Sequence, residues 1–204
     1  MPCYLFKGNE LSLPLFVIST NMTEISKDQI IRAALILIED KGWNGFTLMD
    51  VARGCDIGLA ALLEWFADKT DILVAYGRQL DLRTLSEADK PDMDLPAKDR
   101  LFDLLMGRFD VLNDDRGAVL NILKDIKCDP VSALVMFPHL PGSMKNMLEG
   151  AGINSSGLKG TLSVYALAFC YLNTVRIWVN DDSVDLSKTM AALDKNLGYF
   201  DRLA

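Results

Sequence analysis

The chain has 204 residues, of which 50% are hydrophobic and 24% charged, with a net charge of −7. This is ordinary globular composition, long enough for one large domain or for two smaller ones. A single histidine and four widely separated cysteines argue against a metal site, a disulfide framework and a histidine-based triad. No apolar run is long enough to span a bilayer. We therefore expect a cytoplasmic, non-enzymatic protein with no catalytic residue, no metal and no cofactor.

Residues 1–22 fit no helical pattern. The apolar run at 11–18 is short, contains Pro14 and follows a single basic residue, so it does not resemble a secretory signal. We expect residues 1–22 to be an unstructured or non-native arm, with either Met1 or Met22 as the true start.

The first two predicted helices have clear start signals. Ser26 and Gln29 form a capping box, apolar residues follow at helical spacing, and Gly42 provides a left-handed stop. Thr47 and Asp50 mark the start of the second helix in the same way. Both signals are local, so we expect these boundaries to be accurate.

Two more helices complete the first unit. Residues 54–58 form a turn, a short third helix covers 59–66, and Asp68 caps a fourth helix. Residues 86–96 are polar, contain two prolines and indicate a linker. We therefore predict a helix-turn-helix domain at 23–80.

Further helical patterns follow the linker, and no alternation typical of strands competes with them. They cover 97–112, 116–127, 130–150 (broken by Pro138 and Pro141), 156–180 and 186–199. The pattern at 156–180 is apolar on nearly every side, which indicates burial by its own domain or by a partner subunit. We predict an all-α chain whose residues 97–204 form a helical ligand-binding and dimerisation domain.

Two sets of apolar residues in that domain are candidate contacts. Pockets between helices are common ligand sites, although any single candidate is more often simply core. The pocket candidates are Phe102, Leu105, Met106, Phe109, Met136, Phe137, Met144, Met147, Tyr165 and Phe169. The last two helices of two protomers could form a four-helix bundle, with Leu172, Val175, Met190 and Leu193 at the dimer interface.

Residues 30–75 resemble the DNA-binding domain of the tetracycline-repressor (TetR) family. The matching features are Ala33–Ala34, Gly42–Trp43, Thr47, Val51–Ala52, Leu62, Trp65–Phe66, Lys69 and Leu73. The resemblance implies a tetracycline-repressor-like fold and a homodimeric, DNA-binding transcriptional regulator, controlled by a small apolar ligand. It also implies that the third helix enters the major groove.

The third helix departs from the family pattern because it lacks the residues that usually read DNA. Between Asp56 and Phe66 there is no Lys, Arg, Ser, Thr, Asn or Gln, and residues 23–76 carry five basic and nine acidic side chains. Base readout and phosphate contacts both need polar or cationic groups. The flanks must then contribute, including Lys69 at a helix N-terminus that favours a phosphate. The candidate DNA contacts are Lys27, Thr47, Arg53, Gly58, Leu59, Ala60, Ala61, Leu63, Glu64 and Lys69.

A second resemblance covers residues 151–197, which look like the C-terminal region of the ubiquinone-biosynthesis lipid-binding family. The shared features are Gly152, Tyr171, Thr174, Trp178, Asp181–Asp182–Ser183, Thr189 and Leu193–Asp194. That family shares the repressor fold. This resemblance implies an alternative function, a lipid- or isoprenoid-binding accessory protein that has lost DNA binding.

Overall fold

The computed structural model describes residues 25–126 and 137–200. Within these two ranges the secondary structure is helical and contains no strand, which confirms the predicted all-α class. The helices are α1 (Lys27–Lys41), α2 (Leu48–Gly54), α3 (Leu59–Leu63), α4 (Lys69–Glu87), α5 (Ala97–Asp114), α6 (Arg116–Ile126), α7 (Leu140–Gly150), α8 (Gly157–Trp178) and α9 (Ser187–Phe200), with a 3₁₀ turn at Phe137–His139. The predicted arm at 1–22 and the side chain of Met136 lie outside the described residues.

The start signals of α1 and α2 work as the sequence predicts. Ser26 Oγ accepts a hydrogen bond from the Gln29 amide at 3.2 Å, and Gln29 Oε1 accepts one from the Ser26 amide at 2.8 Å. Gly42 ends α1 with a φ of 75°, a left-handed value that side chains rarely adopt. Each box satisfies two amide groups that would otherwise lack a partner at the helix start.

Helix α3 is shorter than predicted and ends at Leu63 rather than at residue 66. The chain closes in a tight turn, in which the amides of Trp65 and Phe66 both donate to the Leu62 carbonyl. This turn places Phe66 in the core, 3% exposed. Phe66, whose apolar side chain suggested a longer helix, instead packs into the core from the turn that follows α3.

The proline-containing segment 130–150 is divided, as expected. Pro141 stands in the first turn of α7, where a missing amide costs no hydrogen bond. The described part of this segment therefore consists of a short 3₁₀ turn followed by a regular helix.

The N-terminal core is built by α1–α4 and by α6. Its buried residues are Ile30, Ile31, Ala34, Leu35, Ile38, Trp43, Phe46, Val51, Ala52, Leu62, Phe66, Ile72, Leu73, Ala118 and Ile122. Ala118 and Ile122 belong to α6, which the sequence placed in the C-terminal domain. Helix α6 also contributes Val119 to the C-terminal core, so it packs against both units, and the predicted domain boundary stays a prediction.

Polar contacts also hold α6 to the end of α1. Asn121 Nδ2 donates to the carbonyls of Ile38 and Glu39 at 3.1 and 3.0 Å, and Asp125 Oδ2 accepts from the Trp43 amide at 2.8 Å. These contacts join α6 to the last turn of α1 and to the loop that follows it. The position of α1 is thereby coupled to that of α6.

The C-terminal core is formed by the second half of α4 and by α5, α6, α7, α8 and α9, with Val119 as the buried residue of α6. Phe109 stacks on Tyr171 with ring centroids 5.2 Å apart and tilts against Trp178 at 6.5 Å. Among the described helices, none is long and apolar enough to cross a membrane.

Candidate nucleic-acid interface and effector region

Helix α3 is anchored through one face and exposes the other. Leu62 is fully buried, whereas Ala60 and Glu64 are exposed and Leu63 is 46% exposed. Leu59 is half-buried beside them. Leu59 and Leu63 lie four residues apart on one face of the helix, and Leu63 is the exposed member of the pair.

Two exposed cations, Lys27 and Arg53, belong to the same helix-turn-helix unit. Lys27 Nζ lies 5.1 Å from the ring centroid of Trp65, a cation–π contact next to the end of α3. Arg53 is exposed in the last turn of α2. Both retain the accessibility that a phosphate contact needs.

Thr47 is engaged with its own helix. Its hydroxyl donates to Asp50 Oδ2 at 2.7 Å, and the Asp50 amide donates back to Thr47 Oγ1 at 3.3 Å. Hydrogen bonds from the Thr47 side chain and backbone lower the pKa of Asp50, so this carboxyl stays ionised. A phosphate approaching the N-terminus of α2 would meet a fixed negative charge.

Lys69 has a different role from the phosphate contact that the sequence suggested. Its ammonium group donates to the carbonyls of Trp43 and Phe46 at 2.9 and 3.1 Å and lies over both rings. Partial burial lowers the pKa of Lys69. The side chain therefore fastens the α1–α2 loop to α4, and we withdraw it from the DNA contacts.

The N-terminus of α4 is also unavailable to a phosphate. Asp68 Oδ1 accepts from the amides of Thr70 and Asp71 at 2.7 and 3.0 Å, and Asp71 Oδ2 accepts from the Ala67 amide at 2.8 Å. Two carboxylates thus occupy the site that an anion would need.

The pocket candidates divide into buried and exposed residues. Leu105, Phe109, Met144 and Met147 are fully buried in the C-terminal core, and Phe102 and Met106 pack against it. Tyr165 and Phe169 instead lie on the surface of α8 and are 59% and 68% exposed. The side chain of Phe137, like Met136, lies outside what the structure describes.

The proposed interface residues divide in a similar way. Leu193 is fully buried within its own protomer and cannot lie at a dimer contact. Val175 is half-buried against the same core, whereas Leu172 is half-buried on α8 and Met190 is exposed on α9. Sequence periodicity could not separate these faces, because α8 is apolar all round.

The C-terminal core also contains a buried polar network that sequence reasoning missed. Arg108 and Asp81 form an ion pair in which both side chains are more than nine-tenths buried. Arg108 Nε donates to Tyr171 Oη at 3.3 Å, and Ser143 Oγ donates to Asp81 Oδ1 at 2.6 Å. Burial by itself lowers the pKa of Arg108. Tyr171 and Asp81 raise the pKa by more than burial lowers it, so the guanidinium stays charged. The network ties together four helices: α4, α5, α7 and α8.

The chain thus combines a short helix-turn-helix unit with a larger helical core. Residues 30–76 match the family model of bacterial regulatory proteins, tetR family. No curated protein sequence matches the chain.

Three solved structures illustrate the similarity of fold. A TetR transcriptional regulator from Nitrosomonas europaea ATCC 19718 is 21% identical, with a TM-score of 0.68 over 86% of this chain and 98% of that one. A TetR transcriptional regulator from Rhodococcus sp. RHA1 is 14% identical, with a TM-score of 0.61 over 85% and 93%. Thermus thermophilus FadR, a TetR-family repressor in complex with lauroyl-CoA, is 19% identical, with a TM-score of 0.51 over 86% and 93%. The chain has a tetR-family N-terminal domain on the fold of TetR-family transcriptional regulators, which confirms the predicted resemblance.

Proposed function

We propose that this chain acts in the cytoplasm as a homodimeric, ligand-controlled transcriptional regulator that binds DNA through α2, α3 and their flanks. The observation that carries the proposal is the tetR-family domain at 30–76, in which buried Leu62 anchors α3 and leaves its outer face exposed. The three solved structures named above are transcriptional regulators, and we therefore prefer the regulator to the lipid-binding alternative. We expect no enzymatic activity.

The chemistry of the interface predicts weak, salt-sensitive DNA binding of low specificity. Lys27 and Arg53 supply two exposed cations from each protomer, and Leu63 and Ala60 offer only apolar contact to thymine methyl groups. Four phosphate contacts from a dimer give a slope of log K against log salt of about −4. The N-terminus and the outer face of α3 also include four candidate contacts, none of which is a cation: Gly58, Leu59, Ala61 and Glu64.

A salt titration tests this proposal. Binding of the parent protein to DNA from upstream of its own gene is followed by fluorescence anisotropy at increasing salt. Arg53→Ala should weaken all sequences about equally and make the slope shallower by about 2 for the dimer. Lys188→Ala, an exposed cation in α9, should leave the slope unchanged. An unchanged slope in Arg53→Ala would remove Arg53 from the interface, and no binding by the parent at low salt would refute the DNA function.

Adding a cation to α3 tests whether this helix faces DNA. Leu63→Lys replaces an exposed apolar side chain, so the fold should tolerate it. If α3 lies in the groove, DNA affinity rises and the slope steepens by about 2. If the chain is instead a lipid- or isoprenoid-binding protein, DNA binding stays absent while binding to lipid vesicles falls.

The proposed dimer interface is an uncovered apolar face of α8, which we call the α8 stripe. Its residues recur at spacings of four, three, four and three, which places them on one side of the helix. They are Leu158, Leu162, Tyr165, Phe169 and Leu172, with the first four exposed and the last half-buried. The second helix of the proposed interface is α9, on which Met190 is exposed and remains a candidate dimer contact. Two such helix pairs would cover each other in a four-helix bundle.

A further inference from the structure

A cleft of about 210 Å³ lies between α1, α4 and α5, where the N-terminal and C-terminal cores meet. Its floor is apolar and consists of Ile31, Leu35, Leu80 and Val111, and the half-buried Tyr76 lines it as well. The cleft lies apart from the methionine-rich core that the sequence proposed as the ligand pocket. An engineered apolar cavity of roughly 150 Å³ accommodates benzene, so this cleft has room for a molecule of about eight non-hydrogen atoms.

Two guanidinium groups that line the cleft retain donors for a ligand. Arg32 donates through Nη1 to Asp115 Oδ1 at 2.7 Å, and Arg83 donates through Nη2 to Asp114 Oδ2 at 2.8 Å. The second terminal nitrogen of each group donates to none of the residues that the structure describes. The two arginine side chains are 62% and 37% exposed, so a ligand can reach them. A carboxylate can therefore bind here while both ion pairs stay intact.

One carboxylate beside these groups has no cationic partner. Asp28 lines the cleft, is exposed, and its carboxylate forms no ion pair or hydrogen bond within residues 25–126 and 137–200. Asp28 lies one turn before Arg32 on the same face of α1, a spacing that usually allows an ion pair. Arg32 is instead held by Asp115. The cleft thus presents an unpaired carboxylate and unused guanidinium donors about one helical turn apart.

Opposite charges next to an apolar floor favour a zwitterion over a singly charged molecule. An apolar carboxylate without an amine would meet the like charge of Asp28 and leave it unpaired. An apolar amine without a carboxylate would meet the like charges of Arg32 and Arg83. A molecule with both groups adds no net charge to the cleft and pairs with each side, which is electrostatic complementarity in its simplest form.

We propose that this cleft binds a small α-amino acid with an apolar side chain, such as valine, a molecule of the size that the cleft accommodates. Its ammonium group donates to Asp28, and its carboxylate accepts from Arg32 and Arg83. Its methyl groups lie on the floor beside Val111. Since α1 belongs to the helix-turn-helix unit and α5 to the C-terminal core, the bound amino acid contacts both. An effect of this ligand on DNA affinity rests on the function proposed above, whereas binding itself does not.

Valine, isovalerate and isobutylamine form a matched set of probes. They share a branched apolar group and carry both charges, the carboxylate alone and the amine alone, respectively. Binding to the full chain at neutral pH and low salt, without DNA, is measured by ligand-observed NMR. The parent protein should bind valine about two- to fivefold more tightly than either analogue, the value of one exposed ion pair.

Variants separate the two charged contacts, and circular dichroism checks that each is folded. Asp28→Asn should abolish the preference for valine over isovalerate, and Arg32→Gln should reduce the preference for valine over isobutylamine. Asp40→Asn removes an exposed acid of α1 outside the cleft and should change neither preference. Gln79→Trp places a large side chain at the half-buried lining of the cleft and should abolish binding of all three probes.

Nuclear Overhauser contacts from the valine methyl groups to Val111 and to the Tyr76 ring in the parent protein locate the site independently of any variant. Their presence supports the proposal, and their absence at saturation overturns it. No saturable valine binding to the parent, equal affinity for valine and both analogues, or an unchanged preference in folded Asp28→Asn would each overturn it as well. Because the assay contains no DNA, failure of the cleft proposal and failure of the DNA-binding proposal are distinguishable.

Discussion

Replacing Phe169 with Asp should dissociate the proposed dimer. Phe169 lies in the middle of the α8 stripe and is 68% exposed in the isolated chain. The substitution removes an apolar contact and places a carboxylate where the twofold axis would bring two α8 helices together. Because the side chain packs little within its own protomer, folding should be unaffected.

The size of the effect follows from the exposed fraction. Full burial of a phenylalanine side chain stabilises by about 1.5–3 kcal/mol, so the exposed part of Phe169 contributes roughly 1–2 kcal/mol. The contact occurs twice in a symmetric dimer, which gives about 2–4 kcal/mol. At 1.4 kcal/mol for each tenfold change, the dissociation constant should rise roughly 30- to 700-fold. The two apposed carboxylates add to this value, so it is a lower bound.

Sedimentation velocity over a range of concentrations measures the dimer dissociation constant. Ile36→Asp is a matched control, because Ile36 is 60% exposed on α1 and lies outside the α8 stripe. The control should remain as dimeric as the parent. If folded Phe169→Asp also keeps the parent's dissociation constant, the dimer does not use the α8 stripe and the reasoning is refuted.

Three further changes test side chains whose contacts are internal. Asp81→Ala leaves the buried Arg108 charge unpaired and should lower the free energy of unfolding in urea by about 3–5 kcal/mol; a loss below 1 kcal/mol would contradict the network. Lys69→Met should lower it by about 1–3 kcal/mol and leave the DNA salt slope unchanged, whereas a shallower slope would restore the phosphate role. Burial raises the pKa of Asp181, but hydrogen bonds from Ser183 and Thr189 hold it below the usual range. The ionised Asp181 carboxylate stabilises the fold above about pH 4, and this stabilisation is lost as the pH falls further. Asp181→Ala should therefore lower the free energy of unfolding more at pH 7 than at pH 3. An equal loss at both pH values would contradict the stabilising role of the ionised carboxylate.

The sequence predicted the fold where the determining contacts are local. Ser26 and Thr47 lie three residues from the side chains that complete their capping boxes, so the motif contains its own partners. The family resemblance rests on similar short spacings between α1 and α4. Helical periodicity places Leu62 and Leu63 on different faces, and the structure shows which of the two is buried.

The remaining features depend on partners far away in the chain. Asn121 and Asp125 reach the last turn of α1 and Trp43 across about eighty residues, so no window of sequence could show that α6 contributes to the N-terminal core. Sequence reasoning treated Lys69 as available to DNA, because its partners are backbone carbonyls, whose positions a sequence does not reveal. For α8, apolar residues on all sides indicated burial without indicating which face lay inside, and Leu193 was misplaced by the same ambiguity.

The corner between α5 and α6 joins the helix-turn-helix unit to the helix that carries the α8 stripe. Asp115 accepts from Arg32 of α1, and the next residue, Arg116, donates to the carbonyls of Trp178 and Asp181 at 3.1 and 3.0 Å at the end of α8. The Arg116 guanidinium also lies 4.6 Å from the centroid of the Trp178 ring. Two consecutive side chains therefore hold α1 on one side and α8 on the other. In the proposed dimer, a displacement of α8 would reach α1 through this corner. The spacing of the two α3 helices in a dimer would change as a result, because α1 and α3 share one core.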